Sequence, residues 1–271
     1  LVSETGGDNA AGAITISSGG NDDAMELGAG AGMNIAALGS ADATVQIDVA
    51  VQDSGSDDTL SVSGSTVDIN NDVTATGITF TATDDTGNGV DIAAATIDAN
   101  GGDLDIAGAE ITIATGGPTA TLTSTGGATN AVFRGDTAAR SIGVGGAAAG
   151  TVSLSEAELQ TVDGTFSNIV IGASTTQTGL ITVDDNVAPA GLVLSNTNLV
   201  FNVDGAGGAL TVAEGTAIDL DGAAGLSLTI NGNGDVADPT TLGDDILTQG
   251  GEVTIDDADR KSTRLNSSHY S

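Results

Sequence analysis

The residues of this chain that could do chemistry are its carboxylates. Among 271 residues, 37 are Asp or Glu and only five are Lys or Arg, for a net charge of −32. One candidate use is calcium binding, because hard cations take carboxylate oxygens. The stretch Gly243-Asp244-Asp245-Ile246-Leu247-Thr248-Gln249-Gly250-Gly251 has the Gly/Asp pattern of a calcium nonapeptide, and Gly232-Asn233-Gly234-Asp235-Val236 has its first half. Asp235, Asp244 and Asp245 are therefore the candidate metal ligands, with calcium as the possible cofactor. Neither stretch is iterated at nine residues, and such a site needs stacked copies, so acidic turns are the plainer account. Acid-rich corners at Asn21-Asp22-Asp23 and from Asp53 to Asp58 could hold calcium loosely.

A second use is acid–base catalysis by paired carboxylates, as at Asp84-Asp85 and Asp184-Asp185. The partners that chemistry wants are scarce: before residue 259 the only basic side chains are Arg134 and Arg140. A polysaccharide lyase wants a Lys or Arg base, and a glycoside hydrolase wants aromatic rings to stack the sugar. The chain has no Trp, and its only Lys, His and Tyr are Lys261, His269 and Tyr270. Before residue 259 there is no His, and the chain has no Cys, so nucleophilic catalysis through a Ser or Cys beside His lacks its base. No catalytic residue is assigned, and the chain is not expected to be an enzyme. Gly205-Ala206-Gly207-Gly208 is Gly-rich but no Lys follows it, which rules out a phosphate-binding loop. The strong negative charge repels nucleic acid and anionic membranes. No apolar run approaches the ~18 residues of a membrane-spanning helix.

The elements that must position these acids are short strands. Asn100 to Gly117 shows the design. Leu104-Asp105-Ile106 and Ile111-Thr112-Ile113 each place two apolar residues on one face, with a small-residue corner, Ala107-Gly108-Ala109, between them. The design recurs at Thr59-Leu60-Ser61-Val62 with Val67-Asp68-Ile69, at Leu210-Thr211-Val212 with Ile218-Asp219-Leu220, and again from Gly250 to Ile255. A unit of this kind cannot bury its apolar face alone, but stacked units can. The pattern predicts an all-β, right-handed parallel β-helix, or β-solenoid, with degenerate repeats. Composition agrees: hydrophobic residues are 39% but aromatics only 2%, which suits a narrow aliphatic interior better than a thick globular core. High charge with few aromatics is also a signature of disorder, but the period-two apolar runs argue for strands.

Two stretches depart from the pattern. Residues 116–150 are rich in small residues and are expected to be irregular, with Asn130-Ala131-Val132-Phe133-Arg134 as a possible strand. Ser155-Glu156-Ala157-Glu158 has the form of a capping box and predicts one short helical insertion near 155–162. The organisation expected is a single solenoid over 1–258. The stretch from Asp259 to His269 reads as the translation of a common short-read sequencing adapter, and 259–271 is set aside as an artefactual tail. The chain opens on Leu1 with neither an initiator Met nor a signal peptide. It is expected to be an internal piece of a longer protein, assembled from environmental sequence, with end-to-end continuation into flanking repeats.

From Val152 the string V-S-L-S-E-A-E-L-Q-T-V-D-G-T-F-S-N-I-V-I-G, followed by T-G-L-I-T-V, resembles a unit of very large bacterial surface proteins of the filamentous-haemagglutinin-like, β-strand-repeat type. The likeness covers roughly 151–212. The chain departs from that unit by Thr165 between Gly164 and Phe166 and by lacking a basic residue after Gly172. The resemblance implies a parallel β-helix on a secreted or cell-surface bacterial chain. On that basis the chain is expected to be a non-catalytic stalk or passenger segment of an adhesin-like protein, with a surface or carbohydrate ligand. Two alternatives stand beside it: a carbohydrate-processing β-helix domain whose catalytic residues lie outside this stretch, and a calcium-dependent secreted repeat module.

Overall fold

The computed structural model describes residues 13–262 except 18–23, 28–29, 31, 38–42, 54–57, 84–88, 128, 147, 186–190, 221, 223–224, 233–239 and 258–259. The described residues form short parallel strands stacked as a β-solenoid of about eight turns, with almost no helix. Contacts within the chain group it into two compact units. One comprises 1–132 with 161–167; the other comprises 133–160 with 168–271.

In the first unit each turn contributes three strands, one to each of three faces. The first face stacks Ile14–Ile16, Thr44–Ile47, Thr66–Ile69, Val90–Ile92 and Ile111–Ile113. Pairing is in register, so Val45, Val67, Val90 and Ile111 form one inward ladder and Ile47, Ile69, Ile92 and Ile113 form another. All eight are buried. The second face stacks Met25–Leu27, Val51–Asp53, Val73–Thr74, Thr96–Asp98 and Thr121–Thr123. The third stacks Met33–Ala36, Leu60–Gly64, Ile78–Ala82 and Leu104–Ala107, bringing Val62, Phe80 and Ile106 into line. Strands separated by ~4.8 Å in each ladder pack like residue on like residue, and each fully buried Val, Leu or Ile contributes about 1.5–3 kcal/mol.

Corners carry the residues that the turn demands. Asn100 and Gly101 both adopt positive φ, 38° and 89°, which Asn and Gly tolerate better than other residues. The Asp98 carboxylate accepts from the Asn100 N–H at 2.8 Å and stabilises that corner. At Gly102 an added Cβ would collide with the backbone of Gly77 on the neighbouring turn. The two turns pass so closely there that no side chain fits.

The second unit uses the same logic with different turns. One face stacks Val152–Leu154, Ile142–Val144, Ile181–Val183, Leu210–Val212, Thr240–Leu242 and Arg260–Ser262. Another stacks Leu192–Val193, Ile218–Leu220 and Ile246–Thr248, and a third carries Asn168–Ile171, Asn198–Val203, Leu228–Gly232 and Val253–Asp256. All four Phe of the chain, at 80, 133, 166 and 201, are buried. Phe201 lies in line with Ile171 and Ile230.

The helical insertion is present as Glu156–Leu159. Four residues cannot sustain a helix alone. Here Ser155 accepts from the Glu158 N–H, the Glu158 carboxylate accepts from the Ser155 N–H at 2.8 Å, and Leu159 is fully buried. The stretch 116–150, expected to be irregular, instead carries three strands: Thr121–Thr123, Asn130–Arg134 and Ile142–Val144. Its few apolar residues suffice because Leu122, Phe133, Ile142 and Val144 are each fully buried, and parallel main-chain pairing asks for little else. Pairing also enters the stretch set aside as a tail, where Arg260–Ser262 lies along Thr240–Leu242. An open strand edge accepts any extended chain, because main-chain hydrogen bonds do not depend on side-chain identity.

Candidate functional site

The corner aspartates work within the fold. Many spend their oxygens on main-chain N–H groups of a neighbouring turn. Asp72 Oδ1 accepts from Thr96 N–H at 2.7 Å, and Asp103 Oδ1 accepts from Asn130 N–H at 2.8 Å. Asp98 accepts from both the N–H and the hydroxyl of Thr125, at 3.0 and 2.8 Å. Asp257 Oδ2, buried, accepts from Thr240 N–H at 2.7 Å. In the second unit Asn198 does the same work, while Asn231 and Asn202 pair side chain to side chain. Asn198 Oδ1 accepts from Ser227 N–H at 2.9 Å, and Asn231 Nδ2 donates to Asn202 Oδ1 at 2.8 Å. Charge-assisted bonds, such as those of the aspartates, are stronger than neutral ones.

The calcium candidates are not brought together by the described structure. Asp244 and Asp245 are half-buried, and Asp244 Oδ1 accepts from the Asp245 N–H at 2.8 Å, a local turn contact. Asp235 lies outside the described residues, as do Asp84-Asp85 and Asn21 to Asp23. Among the described residues no group of three or more His, Cys, Asp or Glu is arranged to hold a metal ion.

Two arrangements of acids do emerge. On the outer side of the first face, Gln46, Asp68, Asp91 and Thr112 stand opposite one another on successive strands. Asp48 caps the end of this row, accepting from Gln46 Nε2 at 2.8 Å and Asn70 Nδ2 at 2.9 Å. The Asp68 carboxyl is pushed above the ordinary aspartate range by partial burial first, then by the charges of Asp91 and Asp48. Burial likewise pushes Asp91 up. Like charges directly opposite in a sheet destabilise it by about 0.2–1 kcal/mol. Replacing Asp68 with Asn should therefore raise stability at pH 7 by about 0.5–1 kcal/mol. Because the folded state binds these protons more tightly, stability falls as pH rises through the window just above the ordinary carboxylate values and is higher on its acid side. Melting curves from pH 7 down toward the ordinary aspartate range should show that gain, reduced in Asp68→Asn. A variant curve parallel to the parent would show that the ladder does not govern it.

The other arrangement pairs Asp185 with Glu156, not with its neighbour Asp184. Asp185 is buried and its N–H donates to Thr216 Oγ1 at 3.1 Å. Burial pushes the Glu156 carboxyl up, and the charge of Asp185 and a hydrogen bond to it push in the same direction. Glu156 also reaches the sheet. Its Oε2 accepts from Val193 N–H at 3.3 Å and its Oε1 from Gln160 Nε2 at 2.7 Å, while Gln160 Nε2 donates to Val193 C=O at 3.1 Å. The capping box pointed to the helix but not to this use of Glu156.

A groove of about 560 Å³ opens on the third face of the first unit. It is lined by the hydroxyls of Thr59, Ser61, Thr76 and Thr79, and by the carboxylates of Asp103 and Asp105. Ser61, Thr79 and Asp105 are register partners on adjacent strands, so the groove arises directly from the outward half of the alternation. Asp105, which the alternation puts on the outer face, is half-buried there. The groove has donors and acceptors for a hydroxylated ligand and no aromatic platform.

No family model, curated protein or solved structure matches this chain. No helix among the described residues is long and apolar enough to cross a membrane.

Proposed function

We propose that this chain is a non-catalytic stalk or passenger segment of a large, secreted or surface-attached bacterial adhesin-like protein. The observation that carries the reading is how its polar groups are spent. Corner Asp and Asn side chains bond the main chain of the next turn, and Glu156, the acid beside Asp185, is engaged with main chain as well. Such an arrangement transmits load through continuous strand pairing and holds a binding end away from the surface that anchors it. The resemblance of the stretch from Val152 to the β-strand repeats of filamentous-haemagglutinin-like proteins supports the extracellular setting.

A second reading, a carbohydrate-contacting face, is favoured by the hydroxyl- and carboxylate-lined groove around Ser61, Thr79 and Asp105. Glycan-array binding lost in Asp105→Ala would move the proposal to that face. Recovery of the complete reading frame from the source DNA tests the stalk. An export signal and further solenoid turns are expected. A frame without an export signal, or one joining these turns to a catalytic module, would overturn it.

A further inference from the structure

In the second unit, strand order around the turn is regular. Ile181–Val183 is succeeded by Leu192–Val193, Leu210–Val212 by Ile218–Leu220, and Thr240–Leu242 by Ile246–Thr248. Each second member joins one three-stranded sheet, of which Leu192–Val193 is an edge strand. Val152–Leu154 belongs to the same face as the first members, yet the next element along the chain is the helix Glu156–Leu159. The helix thus occupies the place in the turn where the next strand of that sheet would come.

An edge strand presents its main-chain N–H and C=O groups on one side with nothing to pair them, and any extended chain can add there. On their inner side Leu192 N–H and Leu194 N–H donate to Ala217 C=O and Asp219 C=O, at 2.8 and 2.9 Å. Val193 lies between them, so its N–H and C=O point to the outer side, as parallel pairing requires. Both are satisfied by side chains of the helical segment. Glu156 Oε2 accepts the Val193 N–H at 3.3 Å, and Gln160 Nε2 donates to the Val193 C=O at 3.1 Å. Glu156 and Gln160 also bond each other at 2.7 Å. A carboxylate and an amide, four residues apart on one helix face, reproduce the acceptor and donor that a neighbouring strand would offer. The buried Leu159 holds the segment in place.

The structure assigns to Glu156 and Gln160 the role of a surrogate strand: they close the outer edge of Leu192–Val193 and keep it from pairing with another chain. A helix that merely filled space would not need both groups directed at one residue's main chain. The cap ends this sheet at Leu192–Val193.

The test uses the full chain and the variants Glu156→Ala/Gln160→Ala and Glu156→Gln, the last of which keeps a side-chain oxygen for Val193. Amide exchange is read residue by residue. In the double variant the Val193 amide should exchange about tenfold faster or more, while amides of Asn198–Val203 serve as the internal standard for intact folding. Glu156→Gln should stay near the parent. Sedimentation velocity is then measured at about 0.5 M NaCl, where the Debye length falls to ~4 Å and charge no longer keeps copies apart. The double variant should associate with rising concentration and the parent should not. Unchanged Val193 exchange would overturn the cap. A freely exchanging Val193 in a chain that sediments like the parent would overturn the shielding role.

Discussion

Phe80→Ala should cost the first unit about 3–5 kcal/mol, the largest effect expected of any single side-chain truncation here. Phe80 has no exposed surface and sits in register between Val62 and Ile106 of the adjacent turns. A globular core can partly collapse around a lost ring. A solenoid interior cannot, because its walls are strands pinned by main-chain hydrogen bonds to the turns on either side. Thr79 and Thr81, flanking Phe80, are paired to both neighbouring turns, so the backbone at 80 has little freedom to move inward. The vacated space therefore remains, and the cost lies toward the upper part of the range for such cavities. Urea titration gives the measurement, with Thr79→Ala as the outward-facing control, expected within about 0.5 kcal/mol of the parent. A Phe80→Ala cost below about 1 kcal/mol would mean that the ladders are not packed as described.

Salt should stabilise the folded chain by an amount that also stands out. The net charge is −32, and the fold brings acids of successive turns together, as with Asp68 opposite Asp91. Corners repeat at about 4.8 Å, inside the ~8 Å Debye length of physiological salt and far inside the ~30 Å of about 0.01 M. Unfolding lets these charges spread, so their repulsion opposes folding. A handful of such pairs at about 0.2–1 kcal/mol each amounts to roughly 2–3 kcal/mol. At about 2–4 °C per kcal/mol, raising NaCl from about 0.01 M to about 1 M should lift the melting temperature by roughly 5–10 °C. Calcium should act at lower concentration, because one ion can bridge carboxylates of adjacent turns. Melting curves in NaCl and CaCl₂ at matched ionic strength distinguish bridging from screening, and coincident curves would dismiss bridging. Calorimetry then separates diffuse from specific binding. A sharp isotherm of one or two ions that disappears in Asp244→Asn/Asp245→Asn would identify a true site at those residues.

The alternation of apolar residues determined, by itself, that this chain is built of short strands and which side of each faces inward. Leu104, Ile106, Ile111 and Ile113 are buried as their period of two requires. The capping box likewise determined the helix, because Ser155 and Glu158 satisfy each other's main chain without help from the rest of the fold. The second-face strands of three turns in the first unit were not legible. Val73–Thr74, Thr96–Asp98 and Thr121–Thr123 each put a single apolar residue inside, Val73, Ile97 and Leu122, and one residue carries no period. Which strand pairs with which was also decided only in three dimensions. Partners on adjacent turns lie 22 residues apart at Asp48 and Asn70 but 30 apart at Asn168 and Asn198. Corners absorb that variation, so no fixed repeat marks it, while main-chain pairing is blind to side-chain identity. The same holds for the acids. Composition determined that they would crowd the outside. Only stacking decided that Asp98 and Asp103 bind the next turn's main chain, and that Glu156 finds Asp185 and Val193, because those partners lie a whole turn away and meet only when the turns close.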